Sequence, residues 1–352
     1  MKLSLLSVPF FATIILTGCN SGTPATAAAN NSTQVTAAGS SFVYPVMMEW
    51  VQAYGQDHQG LHINYQSIGS GGGIEQLKNG MVDFGASDAA LDDEKLKEMP
   101  ALVQIPESAG PVCITYNLEQ IKEPPLKLSA KTLSGIYLGT IKNWQDAAIK
   151  NDNPGVALPK QGIIVVYRTD GSGTTNIFTT YLAAVSPKWK SQVGQGLSVK
   201  WPVGLGGKGS EGVTGVVKQS PGTIGYVELT YAEENHLPVA QMQNLAGKYV
   251  SPTAAGTSAA IDAFSGELAK DVRAPIVNAP ASAPDAYPIS GLTFLLVPKQ
   301  AKTANKADEV KGFVQYIITG GQDPAEQLHY AKIPASLQKI DEQLLQQVQG
   351  GS

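Results

Sequence analysis

The chain has 352 residues, more than one ordinary core of roughly 100–200 residues organises, so two domains are expected. Hydrophobic residues make up 43% and charged residues 15%, which excludes a disordered chain, while 37 glycines and 22 prolines imply many tight turns in place of a long helical bundle. A formal charge of −4 excludes a globally basic nucleic-acid binder, and two cysteines cannot build a disulfide scaffold.

In chain order, Lys2 precedes an apolar run from Leu3 to Leu16, a leader shorter than the roughly 20 residues that span a bilayer. It ends in Leu16-Thr17-Gly18-Cys19, which resembles the lipobox of bacterial lipoproteins. That resemblance implies removal of residues 1–18 and a lipid on the Cys19 sulfur; a generic signal with an incidental cysteine is the plainer alternative. Residues 19–34 are small and polar without apolar periodicity, as in a flexible tether. Strands are then expected at Leu61–Tyr65, Ile163–Val166 and Thr223–Val227, where β-rich runs are bounded by Gly, Pro or Asp. Helices are expected at Pro45–Tyr54, Ile177–Val185 and Asp308–Thr319, the last with Val310, Phe313, Val314, Ile317 and Ile318 on one face. This alternation argues for an α/β protein with mostly parallel sheets and a ligand site at the carboxyl ends of strands. Cys113, in Val112-Cys113-Ile114, reads as a small buried hydrophobe in a strand.

One pattern recurs three times. Gly39-Ser40-Ser41-Phe42, Gly69-Ser70-Gly71-Gly72-Gly73 and Asp170-Gly171-Ser172-Gly173-Thr174-Thr175 each precede a helix pattern, the last two directly after a strand. A helix start leaves up to four N–H groups unpaired and carries roughly half a positive charge. Glycines let that backbone approach a bound group, and hydroxyls add adjustable donors, so an anion can be held without net positive charge. A single such turn is as well explained by simple helix capping; three together favour an anion site.

Two charged residues sharpen this. Arg168 stands just before the third turn, and its guanidinium fork matches a tetrahedral oxyanion. Asp88, in Val82-Asp83-Phe84-Gly85-Ala86-Ser87-Asp88, either caps a helix or accepts a proton from the anion. Hydrogen phosphate has a proton to give and sulfate does not, so a carboxylate there would discriminate by repulsion. Other chemistries find no motif. Gly207-Lys208 lacks the Ser or Thr of a phosphate-binding P-loop, the Gly69 cluster fails G-x-G-x-x-G at Ile74, no serine stands in G-x-S-x-G, and His58 and His62 are split by Gly60.

The three turns occur in order with Arg168-Thr169, Trp201-Pro202-Val203-Gly204-Leu205-Gly206-Gly207-Lys208-Gly209, Gly222-Thr223-Ile224-Gly225-Tyr226-Val227-Glu228 and Tyr287-Pro288-Ile289. Together they closely resemble the phosphate-binding subunit of the bacterial high-affinity phosphate ABC transporter, from about Thr36 to near the C-terminus. The resemblance implies a two-lobed periplasmic-binding-protein fold of the two-crossover kind (type II), with the ligand in the interlobe cleft. Lobe I would comprise residues 35–108 and 286–349 and lobe II residues 109–285, with Leu292–Val297 as the returning strand. Phosphate would be bound by Ser41, Phe42, Ser70, Asp88, Arg168, Ser172, Gly173 and Thr174, with Asp170 holding Arg168. Phe42 would contribute its N–H while its ring lines the cleft. Gly71 and Ala90 depart from the family, which often has serine and proline there.

The implied protein is a monomeric, lipid-anchored receptor on the periplasmic side of the membrane, with no enzymatic activity, metal or cofactor. Its partners would be inorganic phosphate, the permease subunits and their ATPase. A receptor for another oxyanion would keep the turns without needing Asp88, and a secreted hydrolase would use Ser172 or Thr174 as nucleophile.

Overall fold

A computed structural model describes residues 32–121, 123 and 125–350. The leader, Cys19 and most of the expected tether lie outside these residues. The first strand, β1 (Thr33–Gly39), begins within the segment expected to be a tether, because β-branched Thr33 and Val35 pair in register with Leu61 and Ile63 of β2 (Leu61–Ser67). The other strands of the main sheet are β3 (Phe84–Ser87), β4 (Leu102–Tyr116), β5 (Ile164–Arg168), β6 (Leu205–Gly207), β7 (Thr223–Glu228) and β8 (Ser290–Pro298). The helices that matter for the site are α1 (Tyr44–Asp57), α2 (Ser70–Lys78), α3 (Gly173–Val185) and α4 (Gly209–Gln219), with α5 (Ala304–Ile318) packed behind the first strands.

The fold is α/β, and the eight strands run in the order β2-β1-β3-β8-β4-β7-β5-β6. Parallel pairing holds at the two flanks, β2-β1-β3 and β7-β5-β6, where helices connect the strands. The centre is antiparallel, from β3 through β8 and β4 to β7. The expected mostly parallel sheet is therefore a mixed one. Its cause is β4, a strand of 15 residues, all of them buried. Residues 102–111 of β4 pair with β8, and residues 112–116 pair with β7. One strand thus serves two halves of the sheet and changes partner between Pro111 and Val112. The return passage lies alongside, where the Val112 N–H donates to Ile289 O at 2.8 Å and Tyr287 Oη donates to Val112 O at 3.1 Å.

Both halves bury large side chains. Trp50, Phe84, Phe313 and Tyr330 fill the first, and Tyr137, Phe178, Trp189 and Tyr226 the second. In the second half, Trp201 stacks on Tyr167 and Tyr226, with ring centroids 5.2 and 5.8 Å away. Cys113 lies on β4, a buried free thiol whose pKa is pushed up by desolvation.

Predicted helices appear with longer beginnings. α3 starts four residues before Ile177 because Ser172 caps it, its hydroxyl accepting from the Thr175 N–H at 3.1 Å. α2 starts at Ser70, so three of its glycines are helical instead of forming a loop. α5 starts at Ala304 behind the Thr303 cap.

Candidate functional site

The site is assembled at the ends of β1, β3 and β5, where the chain leaves the sheet toward α1, a bend at Asp88, and α3. Gly69 turns the chain out of β2 with φ +82°, a left-handed conformation that a side chain would strain, and it faces Asp170 across the site. Ser70 opens α2, and its Oγ accepts from two N–H groups at 3.2 Å, those of Asp88 and of Gly173. A Cβ on Gly173 would lie 2.5 Å from both Asp88 Oδ2 and Ser70 Oγ, so only glycine permits this approach.

Ser40, Ser41, Phe42, Ser70, Asp88, Arg168, Ser172, Gly173 and Thr174 are all buried. The Arg168 guanidinium grips Asp170 with two nearly parallel bonds, Nε to Oδ1 at 2.8 Å and Nη2 to Oδ2 at 2.5 Å. Its Nη1 points the other way, toward Thr174 Oγ1 at 3.4 Å and Ser210 Oγ at 3.2 Å. Asp170 also accepts from the Gly209 N–H at 3.0 Å. Burial would raise the Asp170 pKa, but Arg168 and these N–H donors hold it below the ordinary carboxylate value. Burial opposes the Arg168 charge as well, and Asp170 more than offsets it.

Asp88 is in a different state. Burial pushes its pKa up to about 6, against the opposing pull of the Ser40, Thr293 and Thr174 hydroxyls and of Arg168. Ser40 Oγ donates to Asp88 Oδ1. Asp88 ends a strand and no helix begins at it, so it is not a helix cap. Its carboxylate instead faces α3 and Arg168.

The first turn carries a feature that no motif announced. Three consecutive carbonyls are clamped by tyrosine hydroxyls: Tyr65 donates to Ser40 O at 2.7 Å, Tyr231 to Ser41 O at 2.7 Å and Tyr330 to Phe42 O at 2.6 Å. Fixing those carbonyls fixes the intervening peptide planes, and with them the direction of the Ser41 and Phe42 N–H groups. The Phe42 ring, expected to line the cleft, is instead packed edge-on against Tyr330 at 6.0 Å and over Gly110 of β4. Burial of that apolar ring in the core outweighs exposure beside polar hydroxyls.

A fourth turn was missed. Leu205-Gly206-Gly207 forms β6 beside β5, and Gly209-Ser210 opens α4. Ser210 Oγ lies 2.9 Å from Ser41 Oγ, and its N–H donates to Ser41 Oγ at 3.3 Å, joining the two halves of the sheet. The signal was present, since a strand followed by glycines and a serine is the same pattern as the other turns. The Trp201–Gly209 loop backs the site through Trp201 and delivers Ser210 to it. Ser172 is buried at the rim, with its oxygen engaged as the α3 cap.

The arrangement directs N–H and O–H donors from several helix starts, with one guanidinium, at a common buried point, and leaves one carboxylate facing it. That is chemistry for holding an anion that can itself donate a hydrogen bond. Among the described residues no group of His, Cys, Asp and Glu could hold a metal ion.

Residues 24–320 match the PBP superfamily domain, which gives the class of the protein. Within it, the sequence is 44% identical over 320 residues to the phosphate-binding protein PstS of Xylella fastidiosa, spanning 91% of this chain and 87% of that one. It is 41% identical over 303 residues to the protein of the same name from Haemophilus influenzae, spanning 86% of this chain and 90% of that one. The chain therefore belongs to the PstS family of phosphate-binding proteins, a solute-binding and not a catalytic family. The crystal structure of a phosphate binding protein from Stenotrophomonas maltophilia shares the fold, with a TM-score of 0.66 at 20% identity over 88% of this chain and 92% of that one.

Proposed function

We propose that this protein captures inorganic phosphate outside the cytoplasm and delivers it to an ABC-type permease, whose ATPase drives uptake. The observation that carries the reading is the meeting of Ser41, Ser70 and Asp88 with Arg168, Gly173 and Thr174 in one buried cluster. In it, Arg168 Nη1 would supply the charged contact, while the N–H groups of Phe42, Gly173 and Thr174 and the hydroxyls of Ser41, Ser70, Ser172, Thr174 and Ser210 would cage the oxygens. Asp88 would accept the single proton of hydrogen phosphate. Sulfate has no such proton and would meet a repelling carboxylate.

Residues 35–108 with 286–349 and residues 109–285 are proposed to act as two lobes that close on the ligand. The partner switch of β4 at Pro111–Val112 supports this, because a passage shared by only two adjacent strands can bend while each half stays rigid. The protein would work as a monomer tethered through lipidated Cys19. Among the described residues no helix is long and apolar enough to cross a membrane.

Titration calorimetry with phosphate and sulfate tests the assignment. Phosphate is expected to bind one per chain with submicromolar affinity, on the order of −8 kcal/mol or stronger, and sulfate not to compete. Equal binding of both anions would remove the role given to Asp88, and binding of neither would remove the function.

A further inference from the structure

Within electrostatic reach of Asp88 lies a second carboxyl group for which the reading above has no use. Glu107 sits on β4, fully buried, and its Oε1 is 3.0 Å from Thr293 Oγ1 of β8. Its Oε2 has no hydrogen-bond partner among the described residues. Phe294 of β8 pairs antiparallel with Ser87 of β3, which puts Thr293 opposite Asp88, and its hydroxyl, 3.0 Å from Glu107, helps hold the Asp88 pKa down, so one hydroxyl stands between two carboxyl groups. A hydroxyl has one proton to donate. If it went to Glu107, Asp88 would lose that donor while it carries charge.

Resting on the phosphate-receptor reading, we infer that Glu107 is a protonated positioning residue: it donates to Thr293 Oγ1, so that the Thr293 proton is directed at Asp88 and keeps Asp88 an ionised acceptor for the ligand's proton. The direction follows from the surroundings. The titratable groups acting on Glu107 are Asp88 and, more distantly, Tyr65 of β2; the Gln322 amide donates to its backbone carbonyl and not to its carboxyl. No cation touches the Glu107 carboxyl among the described residues. An ionised Glu107 would be a desolvated charge beside a second carboxylate, with one oxygen unpaired. Burial first, and the Asp88 charge in addition, push its pKa up to about 8, against the bond from Thr293. Neutral, it needs no cation and supplies the proton that the Thr293 hydroxyl requires. The cluster thus runs Glu107, Thr293, Asp88, ligand, each member donating to the next until Asp88 accepts from both sides.

The consequence is a loss of phosphate affinity on the alkaline side that the ligand does not cause. Once dihydrogen phosphate has lost its first proton near neutrality, the hydrogen phosphate that remains keeps its proton through the alkaline range, and Asp88 is fully ionised. Deprotonation of Glu107 should lower affinity by up to about tenfold per pH unit above its own pKa. Phosphate calorimetry across about pH 7 to about pH 10 on wild type, Glu107→Gln and Asp341→Asn reads this. Asp341, on the helix Ala335–Leu345, is another buried acid raised to about 8, and its carboxyl bonds none of the site residues. Glu107→Gln keeps a donor and cannot titrate, so its affinity is expected to stay level where wild type falls, while Asp341→Asn falls with wild type. An unchanged alkaline decline in Glu107→Gln overturns the inference, as does a level profile in Asp341→Asn. Infrared spectroscopy supplies a readout independent of affinity: a protonated-carboxyl band at neutral pH that disappears in Glu107→Gln supports the inference, and the absence of that band in wild type refutes it. Failure of wild type to bind phosphate at any pH would instead overturn the receptor function itself.

Discussion

Asp88 and Asp170 are two aspartates of the proposed anion site, and the fold handles them in opposite ways. Asp170 lies at the end of β5 within the grip of Arg168, and its pKa is held below the ordinary value despite burial. Asp88 lies just past the end of β3, where burial lifts it to about 6 against the Ser40 hydroxyl, then the Arg168 charge, with Thr293 and Thr174 contributing less. The same side chain is therefore structural in one place and left available in the other. The proposed anion site would tolerate two carboxylates because one is cancelled by its arginine and the other would accept the proton of the ligand.

The strongest test of this contrast is Arg168→Ala. It leaves the half-buried Asp170 carboxylate without its partner, which should cost stability toward the lower end of the about 3–5 kcal/mol seen when a fully buried pair is broken from one side. Thermal unfolding should show that loss together with abolished phosphate binding. The double variant Arg168→Ala/Asp170→Ala should regain most of the stability and none of the binding. If the single variant is as stable as wild type, the pair is not the structural clamp described.

Asp88→Asn should behave in the opposite manner. The variant removes a desolvated charge, so the ligand-free protein should melt no lower than wild type. Phosphate affinity should fall by about 1.5–3 kcal/mol, the range for hydrogen bonds to charged groups, and the preference over sulfate should shrink with it. Retention of that preference would show that the discrimination lies elsewhere.

The pH dependence separates the two aspartates without mutation. The folded pKa of Asp88 is raised from its model-peptide value, so its contribution to stability is complete below that value and is lost as pH rises through about 6. The folded pKa of Asp170 is lowered, so its contribution is present above its unfolded value and is lost as pH falls through the folded one. Between about pH 4 and about pH 6 the ligand-free protein should therefore lose stability from Asp88 as pH rises, while the added stabilisation by phosphate grows because Asp88 ionises. Calorimetric melting with and without phosphate measures both trends, and parallel curves would contradict the opposition. Ser210→Ala gives the smallest effect, about 1 kcal/mol of phosphate affinity, through loss of a hydroxyl shared between Ser41 and Arg168.

Much of this was legible in the sequence because the determinants are local. A strand, glycines and hydroxyl residues specify a helix start; Ser70 and Thr174 lie in such signals and Arg168 directly precedes one, while Asp88 stood out as a carboxylate in an apolar, glycine-bearing stretch. Arg168 and Asp170 are two residues apart, so their pairing follows from short-range geometry. The rest depends on contacts distant in sequence. Tyr65, Tyr231 and Tyr330 clamp one turn from separations of 25, 190 and 288 residues, and each alone looks like an ordinary core tyrosine. Glu107 and Thr293 meet across 186 residues because β4 and β8 are neighbours, a pairing fixed only when the chain returns to the first half. Ser210 was visible in principle, since it repeats the turn pattern one strand over. The antiparallel centre was hidden because strands without an intervening helix look the same in either direction.

The burial of Arg168 and Asp88 has a kinetic corollary. Outside the cavity the protein presents a net negative surface to a negative solute, since the formal charge is −4. No long-range field draws the anion in; attraction begins only within the few ångströms over which oriented dipoles act. Raising ionic strength, which shortens the screening length from roughly 30 Å at 0.01 M to roughly 8 Å at 0.15 M, should thus hasten capture slightly and leave the dwell time of the ligand unaltered.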